Sequence, residues 1–260
     1  MIYRPDLRQQ YKAQARVRIR ERFWPTIGTA LLALVPLALI SLIMQSATAN
    51  LPETPTTEDL AQMYKMMGIY VVAMLLIGGP IQFGAKQYYI ARARGQEASA
   101  WLVVSCFSSA KKYLTAIKLQ LCIFVRSLGW LAILIAYIFV AILLVVISTP
   151  LFVIAILAMI PLSFWISVKI RRFDGAYICL TDTPNTSVWK ATGACVPIFR
   201  DHNWELLVFD LSFILWELFA IVTLGIGTLY VSPYMEIAFT NYFDALCQRE
   251  TQETDNNTEL

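Results

Sequence analysis

The stretch LQLCIFVRSLGWLAILIAYIFVAILLVVISTPLFVIAILAMIPLSFWISV, Leu119–Val168, decides the fold. It is almost continuously apolar for 50 residues, whereas one crossing of a ~30 Å hydrocarbon core needs only about 20. The chain must therefore reverse within it. Ser148-Thr149-Pro150 is the one segment with turn chemistry, which predicts spans at 121–147 and 150–168, the second kinked by Pro161. The rest of the composition agrees: 58% of the 260 residues are hydrophobic, 15% are charged, and the mean hydropathy is +0.58. Soluble domains carry about 25% charged residues. A water-facing globule, bulk disorder and a small disulfide scaffold are excluded. The expected fold class is all-α, a polytopic transmembrane helix bundle.

Working toward the N-terminus, residues 86–118 carry Lys86, Arg92, Arg94, Lys111, Lys112 and Lys118 against Glu97 alone. Ala98 to Lys118 reads as an interfacial or cytosolic helix. The next apolar run predicts a span at 66–85, interrupted by Gly78-Gly79-Pro80. Such a break is tolerated in a bilayer only where other protein or a wet cavity satisfies the freed carbonyls. A polar connection at 45–65 separates it from a first span at 24–44, with Pro25 in its first turn and Pro36 kinking its interior. Residues 1–23 hold seven Lys/Arg, and no small-residue cleavage site follows at signal-peptide length, so this head is expected to stay attached. Arg8, Lys12, Arg16 and Arg20 recur every four residues, as do Leu7, Tyr11, Ala15, Ile19 and Phe23. On a helix these rows form a basic stripe beside a mostly apolar one, as a helix lying on an anionic membrane surface requires. A role in topology alone is the other reading, and the two are compatible.

Toward the C-terminus, 169–205 is basic at its start (Lys169, Arg171, Arg172) and has turn chemistry at Thr181–Asn185. The 42 residues of 206–247 are largely apolar, with Gly225-Ile226-Gly227 near the middle. Two spans, 206–224 and 228–247, bring the total to six within one transmembrane domain, 24–247. The alternative is five spans and an interfacial C-terminal helix. With six, the N-terminus, both basic loops and the tail face the cytoplasm, leaving only Lys65 outside; with five, Arg249 joins it. Residues 248–260 read as an acidic, disordered tail.

Ionisable groups within hydrocarbon each cost roughly 2.5–3.5 kcal/mol at a helix centre, so they are the candidate site. Asp210 and Glu217 lie seven apart in the fifth span, about 6 and 16 Å in from its cytoplasmic end. Glu236 would lie about 12 Å below the outer surface, near the depth of Glu217, and Arg126 at a depth similar to Asp210. One reading is a polar cavity in which Glu217 and Glu236 share a proton. The other is a structural Arg126–Asp210 pair with a protonated Glu217. Five cysteines with no CxxC spacing read as free thiols. A single histidine, His202, removes most zinc and haem ligation, so no metal and no cofactor are expected.

Ser212-Phe213-Ile214-Leu215-Trp216, Thr223-Leu224-Gly225-Ile226-Gly227, Pro233-Tyr234 and Tyr242-Phe243 form an ordered series. Upstream stand Tyr177-Ile178-Cys179-Leu180-Thr181-Asp182-Thr183-Pro184 and His202-Asn203-Trp204. This series resembles the bacterial family called domain of unknown function 975. The resemblance covers residues 100–247 and, by architecture only, the first third. It implies a multi-span membrane protein, more distantly similar to the membrane domain fused to some glycerophosphodiester phosphodiesterases, and brings no catalytic residue with it.

The function expected is therefore non-enzymatic: a scaffold or lipid-interacting factor gripping anionic lipid through its basic cytoplasmic segments, Arg8, Lys12, Arg16 and Arg20 among them. The alternative is a small proton- or cation-coupled transporter using intramembrane carboxylates. A hydrolase lacks a nucleophile motif, and the basic loops need no nucleic acid to explain them. The expected location is the bacterial plasma membrane, multi-pass, N-terminus cytoplasmic. The expected partners are anionic lipids and, beyond them, a homo-oligomer or another membrane protein.

Overall fold

The predicted reversal at Ser148 is where the chain turns. The computed structural model describes residues 5–48 and 56–258, and among these there is no strand. Ser148 is extended (φ −166°, ψ 127°) between α5 (Ala110–Ile147) and α6 (Thr149–Arg171), and Pro150 occupies the first turn of α6. Proline suits that turn because its missing N–H has no intrahelical partner there. The Tyr137 hydroxyl donates to the Ala155 carbonyl at 2.7 Å and ties the two helices together.

The earlier hairpin is α2 (Phe23–Thr48) and α3 (Thr57–Ala73), with α4 (Gly79–Ala93) continuing beyond a π turn at Met74–Gly78. Part of the polar connection expected at 45–65, residues 49–55, lies outside the described residues. The rest is helical on both sides of it. Thr56 caps α3 in a reciprocal capping box with Asp59, accepting from the Asp59 N–H while its own N–H donates to that carboxylate at 2.8 Å. The box starts the helix about nine residues before the predicted span.

Gly78-Gly79-Pro80 does not break the helix; the π turn absorbs it. Pro80 cannot donate to the Leu76 carbonyl four residues back. The Tyr113 hydroxyl takes that role, donating to Leu76 O at 3.1 Å. The freed carbonyl is thus met by other protein, as the bilayer requires.

Among the described residues four helical stretches are long and apolar enough to cross a membrane: Phe23–Ser46, Thr57–Ala93, Ala110–Leu144 and Thr149–Asp182. That is the make-up of a multi-pass membrane protein. The expected fifth and sixth spans are not among the four. The 206–224 stretch falls into α9 (Asn203–Leu211) and α10 (Ile214–Val222), nine residues each, or about 13 Å apiece against a ~30 Å core. Ser212 ends α9, its N–H turning back to Val208 and Phe209. The following helix, α11 (Thr228–Thr258), is long but carries Glu236, Asn241 and Asp244 and a polar C-terminal half. An apolar count over 42 residues does not register these interruptions. Helix also continues to Thr258 over most of the segment expected to be a disordered tail. Extending an existing helix avoids the nucleation cost that an isolated polar tail would face.

By compactness the chain divides into two units, one comprising Gln10–Gln120 and Ala220–Asn241, the other Met1–Gln9, Leu121–Phe219 and Tyr242–Leu260. In the first, a 3₁₀ helix (Ala100–Ser108) lies across α4. Gly84 permits this, since a Cβ there would meet the Leu102 and Val103 carbonyl oxygens at 2.4 and 2.5 Å. Between α10 and α11 the chain reverses through Thr223–Gly227. The Thr223 hydroxyl accepts from the Gly227 N–H at 2.8 Å, and Leu224 and Gly225 take positive φ (51° and 88°). The second unit adds α7 (Gly175–Asp182) and α8 (Val188–Ile198), and an aromatic core in which Phe209 stacks on Tyr242 at 5.2 Å and Phe199 meets Phe243 at 5.7 Å.

Candidate functional site

The site takes shape in the first unit, where α2, α4 and α11 enclose a cavity of about 260 Å³. Its α2 wall is apolar: Ala30, Ala33, Leu34 and Leu37. The facing side is polar. On α4, Gln82, Lys86 and Tyr89 stand at spacings of four and three; on α11, Ser232 and Glu236 stand four apart. Such spacings put each set on one helix face. Within this lining Lys86 Nζ lies 3.4 Å from Glu236 Oε2, with side chains only 16% and 17% exposed. Tyr89 beside them is buried.

Sequence reasoning singled out Glu236 but assigned Lys86 to a cytoplasmic loop. The missing signal was the polar row Gln82–Lys86–Tyr89 on what is otherwise an apolar helix. The pairing changes the chemistry expected of Glu236. Its neighbour across the cavity is an ammonium and not the second carboxyl expected from sequence.

The other candidate residues have partners of their own. Asp210 faces Arg171 at 4.0 Å, and Arg171 also binds Asp174 at 2.9 Å. Arg126 donates to the Trp189 carbonyl at 3.1 Å and lies over the Trp189 ring at 4.1 Å. The Arg126–Asp210 pair considered from sequence is thus replaced by two separate arrangements. Depth along a helix does not say which neighbour shares it. Glu217 is exposed on α10 and is not among the residues lining the cavity that holds Glu236.

In α1 (Pro5–Glu21) the two predicted rows are present, and the apolar one packs within the chain. Tyr11, Ala15 and Ile19 are all buried, so that row is spent on packing within the chain and is not available to a lipid surface. Of the basic row, Arg8 donates to the Val208 carbonyl at 3.4 Å and Arg16 meets the Tyr234 hydroxyl. Arg16 and Arg20 are exposed, and Lys12 is half-buried. Arg92, buried, donates to the Arg18 carbonyl at 2.9 Å and pairs with Glu21 at 3.2 Å, locking α1 onto α4.

An outward apolar stripe lies elsewhere. In the 3₁₀ helix Trp101, Val104 and Phe107 are 69%, 39% and 48% exposed, while Val103 and Cys106 are fully buried. With three residues per turn, positions three apart eclipse, so these side chains form one row about 12 Å long. Lys111, Lys112 and Lys118, all exposed, follow at the start of α5.

Several of the motif residues serve the packing and the turns. Tyr242 and Phe243 supply the aromatic core, Thr223–Gly227 the reversal, and Phe213 and Tyr234 are buried. His202 Nδ1 contacts Glu205 at 3.1 Å, and Asn203 accepts from Lys169 at 3.1 Å. A family model described as "Protein of unknown function (DUF975)" matches residues 7–250. The chain belongs to the DUF975 family. The match extends through α1 and α2, so the family covers the N-terminal third that the motifs alone did not. No curated protein and no solved structure matches the chain.

Proposed function

We propose that this DUF975 protein is a non-enzymatic, lipid-interacting integral membrane protein, holding anionic lipid at the cytoplasmic face of the bacterial plasma membrane. The observation that carries the reading is the Trp101–Val104–Phe107 row. It lies between the end of one candidate span at Ala93 and the start of the next at Ala110, a segment held by its chain connections at the boundary between hydrocarbon and water. Tryptophan and phenylalanine gain there from partial immersion, roughly 1.5–3 kcal/mol per fully buried side chain. Lys111, Lys112 and Lys118 beside the row supply about 1 kcal/mol each toward an anionic surface. The excess of Lys/Arg in the head and in 86–126 supports a cytoplasmic orientation. Relative to expectation, the lipid contact moves from α1, whose apolar row is buried, to the 3₁₀ segment. The alternative, proton or cation coupling through carboxylates, draws less support, because Lys86 stands beside Glu236.

The test is native mass spectrometry of the full-length protein released from micelles with equal phosphatidylglycerol and phosphatidylcholine. Wild type should retain phosphatidylglycerol preferentially, and Lys111→Gln/Lys112→Gln/Lys118→Gln should lose that preference while staying folded. An unchanged preference in the triple variant would refute the reading.

A further inference from the structure

We propose that the cavity between α2, α4 and α11 binds a zwitterionic head group with a primary ammonium and a phosphate, as carried by phosphatidylethanolamine. Two charges of opposite sign, Lys86 and Glu236, lie 3.4 Å apart in its lining, each mostly withdrawn from water. A ligand with one charge would compete for one of them and weaken the contact between the two without replacing it. A zwitterion replaces the internal pair with two external ones: its phosphate meets the Lys86 ammonium and its ammonium the Glu236 carboxylate. The charge count inside the cavity is then conserved. A primary ammonium brings N–H donors to the carboxylate, whereas the methyl groups of choline hold the positive charge away from it. Gln82 and Ser232 on the same walls offer neutral hydrogen-bonding groups.

Size points to a head group. At about 260 Å³ the cavity falls below the roughly 300–1,000 Å³ of sites for drug-sized ligands. The source follows from the opposite wall. Ala30, Ala33, Leu34 and Leu37 belong to the candidate span Phe23–Ser46, so apolar surface continuous with a membrane helix borders the charged pair. A lipid presents that combination, chains against α2 and head against Lys86 and Glu236. The proposal depends on the lipid-interacting reading for the source of the ligand but not for its chemistry, and it uses none of the 3₁₀-segment lysines.

Native mass spectrometry of the full-length protein with phosphatidylethanolamine, phosphatidylcholine and phosphatidylglycerol at equal amounts tests it, with thermal unfolding followed in parallel. Wild type should retain phosphatidylethanolamine at least tenfold over phosphatidylcholine in the cavity-dependent fraction, defined as the part lost in Glu236→Gln. Lys86→Gln and Glu236→Gln should each reduce phosphatidylethanolamine retention tenfold or more. Should either single variant unfold, Lys86→Gln/Glu236→Gln removes both charges together and leaves neither uncompensated. It should recover thermal stability without recovering phosphatidylethanolamine. Folded variants that keep wild-type phosphatidylethanolamine retention, the double variant included, overturn the proposal. Free O-phosphoethanolamine binding as tightly as the lipid overturns the assignment of the source. Loss of selectivity in these variants with phosphatidylglycerol preference intact separates this site from the 3₁₀ segment.

Discussion

Gly84→Ala is a one-methyl perturbation whose sign the structure determines. In an open helical position, replacing glycine by alanine gains about 0.5–1 kcal/mol, because alanine has less backbone entropy to lose. At Gly84 the added Cβ would stand 2.4 Å from the Leu102 oxygen, 2.5 Å from the Val103 oxygen and 2.8 Å from the Val103 carbonyl carbon. All three are backbone atoms of the 3₁₀ helix, so no side-chain rotation relieves the clash. The segment must move by about 1 Å to reach ordinary contact. Overpacking of this kind costs about 1–3 kcal/mol. With the propensity gain set against the upper part of that range, a net loss of about 2 kcal/mol results. For a chain of this length, 1 kcal/mol moves the melting temperature by about 2–4 °C, so Gly84→Ala should melt about 4–8 °C below wild type in detergent. Gly129→Ala is the control, since nothing lies within 4 Å of a Cβ there; it should leave the melting temperature unchanged or raise it. The displaced 3₁₀ helix should also weaken phosphatidylglycerol retention. If Gly84→Ala melts at or above wild type, the close contact between α4 and the 3₁₀ helix is wrong.

Other outcomes follow from the pairs described. In double-mutant cycles Asp210→Asn should couple to Arg171→Gln by 0.5 kcal/mol or more and to Arg126→Gln by less than about 0.5; the reverse order would restore the Arg126–Asp210 pair. Arg92→Met should destabilise by about 1–3 kcal/mol, since it removes the buried guanidinium's bonds to the Arg18 carbonyl and to Glu21, with chemical denaturation in detergent as the measure. The hydrogen bond with Cys179, together with burial, pushes the Cys195 thiol up from its ordinary value of 9.0. The thiol is then retained in the folded state while the unfolded chain ionises, so the folded state loses stability as pH rises above about 9. Alkylation of Cys195 by N-ethylmaleimide should accordingly stay slow from pH 7 to 9 while the protein is folded; a rate rising tenfold per pH unit would contradict it.

Much of the architecture was legible because it is local. Ser148-Thr149-Pro150 marks the hairpin of α5 and α6 by turn chemistry that needs no tertiary partner. The row Tyr11, Ala15, Ile19 marks one face of α1 in the same way. What that face touches was not legible, since a lipid-facing stripe and a core-facing stripe have the same composition. Gly225-Ile226-Gly227 was legible as a turn, whereas neither stretch flanking it is among the four long apolar helices. Turn residues Ser212 and Phe213 divide the first, and α11 carries Glu236, Asn241 and Asp244.

Composition and helical periodicity, being properties of neighbouring residues, determined that this chain is helical, rich in membrane-compatible helices and turned at Ser148. Only the tertiary structure decided which charges meet. Lys86 and Glu236 belong to helices far apart in the chain, and an ion pair forms where two side chains share a low-dielectric pocket. No local pattern specifies that coincidence.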